Sequence, residues 1–214
     1  MRGAMLIEPE FIKCACSLKE CTVYNKCCFL PTEIHPGIDG TVRILFVGQG
    51  GGTEERQKHR PFIGRSGKRL RQQIIHVRKK LKKHIGVAFS NTIRDNPDRN
   101  RTPSNEELRF CLPFLYRDIA LLKQRGLRVV MPLGYAAKIA LIRNAIGSIT
   151  GDRGHVFMVE NPVFGEMPMI PSYHPSYVSR TTPLPKDGRL PRLDNIVVND
   201  IIYAYEFACG EISV

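Results

Sequence analysis

Long apolar segments are missing from the 214-residue sequence. No run approaches the roughly 20 apolar residues that a helix needs to cross a bilayer. Residues 1–11 include Glu8 and Glu10 and lack the apolar core of a signal peptide. We therefore expect an intracellular protein, cytoplasmic or nucleoid-associated, that has no contact with a membrane.

The common phosphate-binding loops are also missing, although the stretch GQGGGTEERQKHRPFIGRSG at 48–67 is rich in glycine. A Walker loop needs GxxxxGK followed by Ser or Thr, whereas Gly67 and Lys68 are followed by Arg69. The dinucleotide fingerprint needs a third glycine where Thr53 stands, and we expect no helix to start directly after the glycines. These departures predict that the protein binds no nucleotide cofactor.

Paired CxxC motifs are absent, yet five of the seven cysteines lie within the stretch CACSLKECTVYNKCC. An odd count and the lack of an export signal argue against a disulfide framework. Clustered thiolates favour zinc or an iron–sulfur cluster, and free thiols remain the alternative. The five cysteines are Cys14, Cys16, Cys21, Cys27 and Cys28.

Positive charge is in excess, with 32 Lys and Arg against 20 Asp and Glu and a formal net charge of +12. The hydrophobic fraction of 43% and the charged fraction of 24% are those of an ordinary globular protein. The surplus suits a polyanionic partner such as nucleic acid, because basic side chains neutralise phosphates and release counterions. A solubilising surface is the alternative.

Strand-like and helix-like segments alternate along the chain, which predicts an α/β fold. We expect a three-layer α/β/α domain with a central parallel sheet at 41–214, and a Cys-rich segment at 1–40 packed on it. The predicted strands are VRILFVG, GVAFSNTIR, LRVVMPLG and MPMIPSYHP with its loop. The helices YAAKIALIRNAIG and LDNIVVNDIIYAYEFAC follow the last two strands, and SNEELRFCLPFLYRDIALLKQRG begins with a capping-box spacing from Ser104 to Glu107.

One further helix is predicted from Ser66 onwards. Leu70, Ile74, Val77 and Leu81 recur at helical spacing and form one apolar stripe. The other side of this helix is expected to be a basic face, which is either solvated or in contact with phosphates. Its members are Arg71, Arg78, Lys79, Lys82 and Lys83.

Polar or special residues follow three of the predicted strands. Gln49 and its glycines, Ser90 with Asn91, and His174 with Pro175 occupy these positions. In a parallel sheet, ligands bind outside the carboxyl ends of the strands. The sequence therefore predicts one site where these strand ends meet.

Four motifs resemble a known family. VGQGGGTEERQKHRPFIGRSGKRL resembles the first motif of the uracil-DNA glycosylase superfamily, in particular the iron–sulfur class called family four, which reads approximately GEAPGxxEDxxGRPFVGxAG. SNTIRDNPDRNRTPSNEELRFC is similar to its TNxxKCRPPxNRxPxxxExxxC stretch, MPLGYAAKIAL to its LGxxAxxxL segment, and PSYHPSYVSR to its second motif. The order and intervals agree over residues 14–206.

This resemblance implies a DNA repair enzyme of base excision. It would hydrolyse the N-glycosidic bond of uracil in DNA and leave an abasic site, acting as a monomer. Because that bond is inaccessible within the stack, the target nucleotide must be rotated out of the duplex.

The resemblance also implies roles for individual residues. Phe62 would stack on the extruded uracil, Asn91 would read its edge, and His174 would donate to uracil O2. Backbone at the glycines would approach the base and sugar closely, and Ser176 would contact flanking phosphates. The glycines are Gly48, Gly50, Gly51 and Gly52.

The sequence departs from the family pattern in its acidic and cysteine positions. Gln49 stands where the family has Glu; it cannot act as a base but can still hydrogen-bond uracil or position water. Water activation then falls to Glu55, with Glu54 as the lesser candidate. Asp95 stands where the family has its third cysteine. We expect a 4Fe–4S cluster, with zinc as the alternative and with Cys27, Cys28 or Asp95 as alternative ligands. The expected ligands are Cys14, Cys16, Cys21 and Cys111.

Two other functions remain open at this point. Gln49 and the altered cysteines favour a catalytically inactive relative that binds DNA or a replication protein as a scaffold. A metal-dependent hydrolase or nuclease would need clustered Asp and His ligands, which the sequence lacks.

Overall fold

The structure, a computed structural model, describes residues 4–7, 30–95, 101–142, 145, 147–181 and 190–212. Its strands are β1 Met5–Ile7, β2 Thr32–His35, β3 Ile44–Gly48, β4 Val87–Asn91, β5 Val129–Pro132, β6 Phe157–Asn161 and β7 Gly165–Met169. Its helices are α1 Thr53–Lys58, α2 Arg65–Leu81, α3 Asn105–Gln124, α4 Gly134–Leu141, α5 Ile149–Asp152, α6 Pro175–Thr181 and α7 Arg192–Ala208.

The strands form one mixed sheet in the order β1-β2-β4-β3-β5-β7-β6. The four central strands run parallel, while β1 and β2 at one edge and β6 at the other pair antiparallel. The predicted α/β class and its parallel core are confirmed. The antiparallel edges were not predicted, because β1 and β2 have only three and four residues and show no clear alternation.

Helices cover both faces of the sheet because the central strands bury both of their sides. In β3, Ile44 and Phe46 point to a core that α2 and α7 complete. Leu45 and Val47 point to a second core that α3 completes. This explains why ILFVG, the sequence of β3, is apolar throughout instead of alternating.

The predicted strand MPMIPSYHP overlaps the end of a hairpin. β7 pairs antiparallel with β6, whose turn places Gly165 at a φ of 68°. After β7 the chain continues beside β5, since Ser172 N–H donates to the Pro132 carbonyl at 3.0 Å. Ser172 also forms an isolated parallel bridge with Leu133. The polar residues that follow therefore lie at the carboxyl edge of the sheet.

Helix boundaries follow local sequence signals. The Ser104 hydroxyl accepts a hydrogen bond from Glu107 N–H at 3.2 Å, and the Glu107 carboxylate accepts from Ser104 N–H at 2.7 Å, so the predicted capping box is confirmed. The expectation that no helix starts after the glycines is wrong, because α1 begins at Thr53. Glu55 makes this start possible by accepting from Gly52 N–H at 3.1 Å.

The apolar stripe of α2 is confirmed, whereas its basic side is only partly solvated. Leu70, Ile74 and Val77 are buried. Arg71 and Arg78 are half-buried and donate to backbone carbonyls within the fold, instead of lying on an exposed face. Lys79, Lys82 and Lys83 are exposed at the far end of the helix.

A buried ion pair joins α2 to α7. Arg69 donates through Nε to Asp194 Oδ1 at 2.7 Å and pairs with Oδ2 through a second nitrogen. Gln73 donates to the same Oδ1 at 2.8 Å. Such a pair contributes less than its charges suggest, yet removing one member leaves a charge that the interior cannot solvate.

Among the residues that the structure describes, no helix is long and apolar enough to cross a membrane.

Asp194→Ala is expected to lower the free energy of unfolding by about 3 kcal/mol, because it removes the carboxylate that compensates the buried Arg69 charge. Glu211→Ala is the control, since it removes only the exposed pair with Lys83. It should leave the denaturation midpoint nearly unchanged. Urea denaturation followed by circular dichroism measures both, and equal shifts in the two variants would contradict the assignment.

Candidate active site

A cavity of about 420 Å³ lies where β3, β4 and β5 end. It brings together residues that are far apart in the sequence but were all expected to belong to one site. These are Gln49, Gly50, Gly51, Gly52, Glu55, Phe62, Asn91, His174 and Ser176. Gly48 lies directly behind them, as the last residue of β3.

Further residues of the cavity were missed. Leu133, Gly134, Tyr135 and Ala136 line it, and the sequence signal for them is the MPLGYAAKIAL stretch that contains all four. Arg180 also lines it, one turn after Ser176 in α6.

A larger hollow of about 560 Å³ lies at the opposite end of the sheet, beside Arg43 and Arg128. None of the expected site residues lines it. The smaller cavity, where the polar groups converge, is therefore the candidate active site.

Phe62 lies in the cavity wall with a backbone conformation that is rare for its residue type. Its φ is 53°, and such a conformation costs an aromatic residue about 1–3 kcal/mol. Gly67 permits it, because a Cβ there would lie 2.0 Å from the Phe62 carbonyl carbon. The Phe62 ring lies 6.5 Å from the His174 ring and 5.8 Å from the Phe89 ring, centroid to centroid.

Asn91 is the last residue of β4 and only 3% exposed. It stands opposite Gly48 in the parallel ladder. A Cβ at Gly48 would lie 2.6 Å from Asn91 Oδ1 and 2.8 Å from Phe62 Cζ, so this glycine is needed to let both side chains reach the cavity. Within the described residues the Asn91 carboxamide makes no hydrogen bond, which leaves its donor and its acceptor available to a ligand.

The proton of His174 is located by its neighbour. Ser176 N–H donates to Nδ1 at 3.1 Å, and the Ser176 hydroxyl lies 2.7 Å from the same atom. A nitrogen that accepts from a backbone N–H carries no proton, so the neutral ring has its proton on Nε2. Burial, with the positive charge of Arg180, lowers the pKa of His174 to about 4. The ring is therefore a neutral donor at neutral pH.

Ser176 is engaged by these same bonds. Both its N–H and its hydroxyl contact His174. Its geometry is that of a residue that orients the imidazole.

Gln49 and Glu55 both have backbone partners. Gln49 Nε2 donates to the Arg101 carbonyl at 2.8 Å, a bond that a glutamate could not make. Glu55 accepts from three backbone N–H groups, at Gly52 (3.1 Å), Ile63 (3.0 Å) and Gly64 (2.6 Å). This carboxylate therefore ties the glycine loop to the segment that carries Phe62.

The expected metal ligands are only partly visible. Cys14, Cys16 and Cys21 lie outside the described residues, as do the alternatives Cys27 and Cys28. Cys111 is buried in α3. Asp95 is buried and lies 3.7 Å from Arg56 Nε. In the described ranges, no three His, Cys, Asp or Glu side chains are close enough to hold a metal ion.

Residues 35–193 match the family model described as the uracil DNA glycosylase superfamily. The chain belongs to the uracil-DNA glycosylase superfamily. The matched region contains every wall residue of the cavity named above, so the expected motifs and the family assignment refer to the same site.

Relatives within the superfamily are similar over most of the chain. A type-4 uracil-DNA glycosylase of Thermotoga maritima is 34% identical over 167 residues, which cover 77% of this chain and 77% of that protein. Type-4 uracil-DNA glycosylases of Sulfurisphaera tokodaii and Pyrobaculum aerophilum are 28% and 27% identical. They cover 79% and 64% of this chain, and 73% and 68% of their own lengths.

The His174 ring is expected to titrate near pH 4 in nuclear magnetic resonance spectra of the folded protein. Because the folded pKa lies below its ordinary value of about 6.5, protonation favours the unfolded chain, and stability falls as the pH drops from about 6.5 to 4. Arg180→Ala should raise the pKa only partly, since burial is the larger cause. Lys68→Ala, an exposed control, should leave it unchanged, and a wild-type midpoint above 6 would refute the neutral donor.

Proposed function

We propose that this chain is a DNA repair glycosylase that hydrolyses the bond between uracil and deoxyribose and leaves an abasic site. One observation carries the proposal: Phe62, Asn91 and His174 line a single cavity with the glycine loop. An extruded uracil needs an aromatic face on which to stack, a carboxamide whose N–H and C=O groups are both available, and a neutral imidazole that donates a hydrogen bond. The curated relatives are named as glycosylases, which disfavours a scaffold without activity.

Base selection is proposed to depend on Phe62 and Asn91. The Phe62 ring offers a stacking surface, which every base can use. The Asn91 carboxamide accepts from uracil N3–H and donates to uracil O4. Cytosine presents the opposite pattern at these two positions, so it leaves the carboxamide unpaired in a buried site.

His174 is proposed to stabilise the leaving group. As the bond between C1′ and N1 breaks, its electron pair passes to the uracil ring and negative charge develops on O2. The Nε2–H of His174 donates to that oxygen, and this interaction strengthens in the transition state. Since the ring is already neutral, it stabilises charge without transferring a full proton.

Water attack is proposed to depend on Gln49 instead of Glu55. The Gln49 Nε2 is bound to the Arg101 carbonyl, which leaves the side-chain oxygen as an acceptor for the attacking water. Water oxygen bonds to C1′, and its proton leaves to solvent or to the departing base. Glu55 is proposed as a positioning residue, because its three backbone donors hold the loops on either side of the base.

Uracil-containing DNA is the proposed partner, bound by a monomer. Arg180 lines the cavity, and with Arg65 it also lines an adjoining hollow of about 320 Å³ that suits a flanking phosphate. The lysines at the end of α2 lie farther away, because a 17-residue helix is about 25 Å long. They add to the long-range attraction of DNA and not to contacts at the base.

We also propose a metal centre with a structural role. Cys111 lies buried in α3, and thiolates from Cys14, Cys16 and Cys21 would complete a 4Fe–4S cluster, with zinc as the alternative. Chelation would tie the N-terminal segment to the core. Asp95 is the less favoured alternative ligand, because its Oδ1 lies 3.7 Å from Arg56 Nε.

His174→Gln is expected to lower the single-turnover rate of uracil excision at least about 100-fold, because it removes the donor to O2. Asn91→Leu should also abolish most activity, since it removes both hydrogen bonds to the base edge. The substrate is a labelled oligonucleotide with one uracil, and alkaline scission reports the abasic site.

His155→Gln is the matched control, because His155 is exposed and does not line the cavity. It should excise uracil at the wild-type rate. DNA affinity should stay within a few-fold in all variants. No scission by the wild type, with tight DNA binding retained, would refute the enzymatic function and restore the scaffold alternative.

Protein purified without oxygen is expected to hold about four iron atoms per chain and equal sulfide, as a Cys-bound 4Fe–4S cluster requires. Cys111→Ser should lose most of this iron, whereas Cys209→Ser, which changes an exposed cysteine, should keep it. Elemental analysis measures iron and zinc together. Wild-type protein with neither metal, or equal metal content in both variants, would contradict the proposed centre.

A further inference from the structure

The left-handed backbone of Phe62 needs a restraint from the surrounding structure. Non-glycine residues hold such conformations only where neighbouring groups fix them, and these places cluster at functional sites. Gly67 makes room for the conformation but supplies no attraction that would hold it. The segment must therefore be held by hydrogen bonds to its own backbone. Glu55 holds the residues that follow Phe62 through Ile63 N–H and Gly64 N–H.

Arg71, from the second turn of α2, holds the carbonyls of Phe62 and the residue before it. Its Nε donates to the Phe62 carbonyl at 2.9 Å, and one terminal nitrogen donates to the Pro61 carbonyl at 3.2 Å. Its guanidinium carbon lies 4.4 Å from the centre of the Phe89 ring, against which Phe62 also packs. One side chain thus contacts both carbonyls of the segment and the ring behind it.

Glu33 on β2 anchors this arginine. Its side chain is fully buried and accepts from Arg71 at 3.0 Å and from Arg60 at 2.9 and 3.1 Å. His35 also contacts the carboxylate. Burial alone would raise the pKa of Glu33, but the hydrogen bonds of His35 and Arg60 and the charge of Arg71 lower it to about 2. The anchor is thus ionised throughout the physiological range.

We propose that Arg71, held by Glu33, is the positioning residue of the base-stacking ring: it fixes Phe62 in its left-handed conformation and so aims the ring at the extruded base. The inference rests on the proposed function only through the role of Phe62 as the stacking surface.

Arginine is required for this role. Its planar guanidinium group presents several N–H donors in fixed directions and also stacks on an aromatic face, whereas lysine offers one flexible ammonium group. The two carbonyls, the carboxylate and the Phe89 ring need these properties together. Arg71→Lys should therefore behave like Arg71→Met, although it keeps the charge.

A double-mutant cycle between Arg71 and Phe62 tests the proposal. Arg71→Met should lower the single-turnover excision rate about tenfold or more, because charge-assisted bonds to the segment are lost. With Phe62→Leu already present, it should change the rate by less than about twofold, since the ring it positions is gone. Equal losses in the two backgrounds would overturn the proposal.

Arg78→Met is the matched control. Arg78 lies on the same helix and donates to the Ile85 carbonyl at 2.6 Å, away from the cavity. Its replacement should lower the denaturation midpoint without changing the excision rate in either background. Coupling of Arg78 to Phe62 as strong as that of Arg71 would show a general loss of stability and overturn the proposal.

A second readout needs no activity. With 4-fluorophenylalanine at position 62, the folded wild-type and Arg78→Met proteins should each give one sharp fluorine resonance. Arg71→Met, or Arg71→Lys if the first does not fold, should broaden the resonance or add a second one. An unchanged resonance would overturn the inference, whereas failure of wild-type protein to excise uracil would overturn only the proposed function.

Discussion

The parallel pairing of β3 with both β4 and β5 is the constraint on which the site depends. It makes the three strands end at one edge, so Gln49, Asn91 and Leu133 meet although they are far apart in the chain. Gly48 and Asn91 are partners in that ladder, and the missing Cβ lets the carboxamide reach the cavity. His174 reaches the same edge because its chain segment continues beside β5 after β7 has ended.

Much of this arrangement was predictable from the sequence because it depends on local patterns. Apolar runs that end in polar residues predicted the parallel core and the place where the strand ends converge. The spacing of Leu70, Ile74 and Val77 predicted the buried face of α2. The spacing of Ser104 and Glu107 predicted the capping box at the start of α3. Each of these signals lies within a few residues of chain.

The remaining features depend on contacts between distant segments. Arg71 reads as part of a solvated basic face, and only the fold shows that β2 brings a buried carboxylate to it. In the sequence, Gln49 looks like a weakened catalytic position. In the fold, its side-chain amide donates a hydrogen bond to the carbonyl of Arg101, 52 positions away. Nor does the local sequence reveal that Phe62 adopts a left-handed conformation or that Glu55 binds three backbone amides.

In the proposed mechanism, the half-buried neutral imidazole of His174, oriented by Ser176, stabilises charge on the leaving base, and the Glu55 carboxylate positions the loops on either side of that base. The protein is expected to break one bond, between uracil and its sugar, and to leave the phosphate backbone intact. Chromatography of the products from an oligonucleotide with a single uracil tests this directly. We expect one equivalent of free uracil and an uncut strand before alkali, whereas a strand cut without alkali, or no free uracil, would refute this reaction.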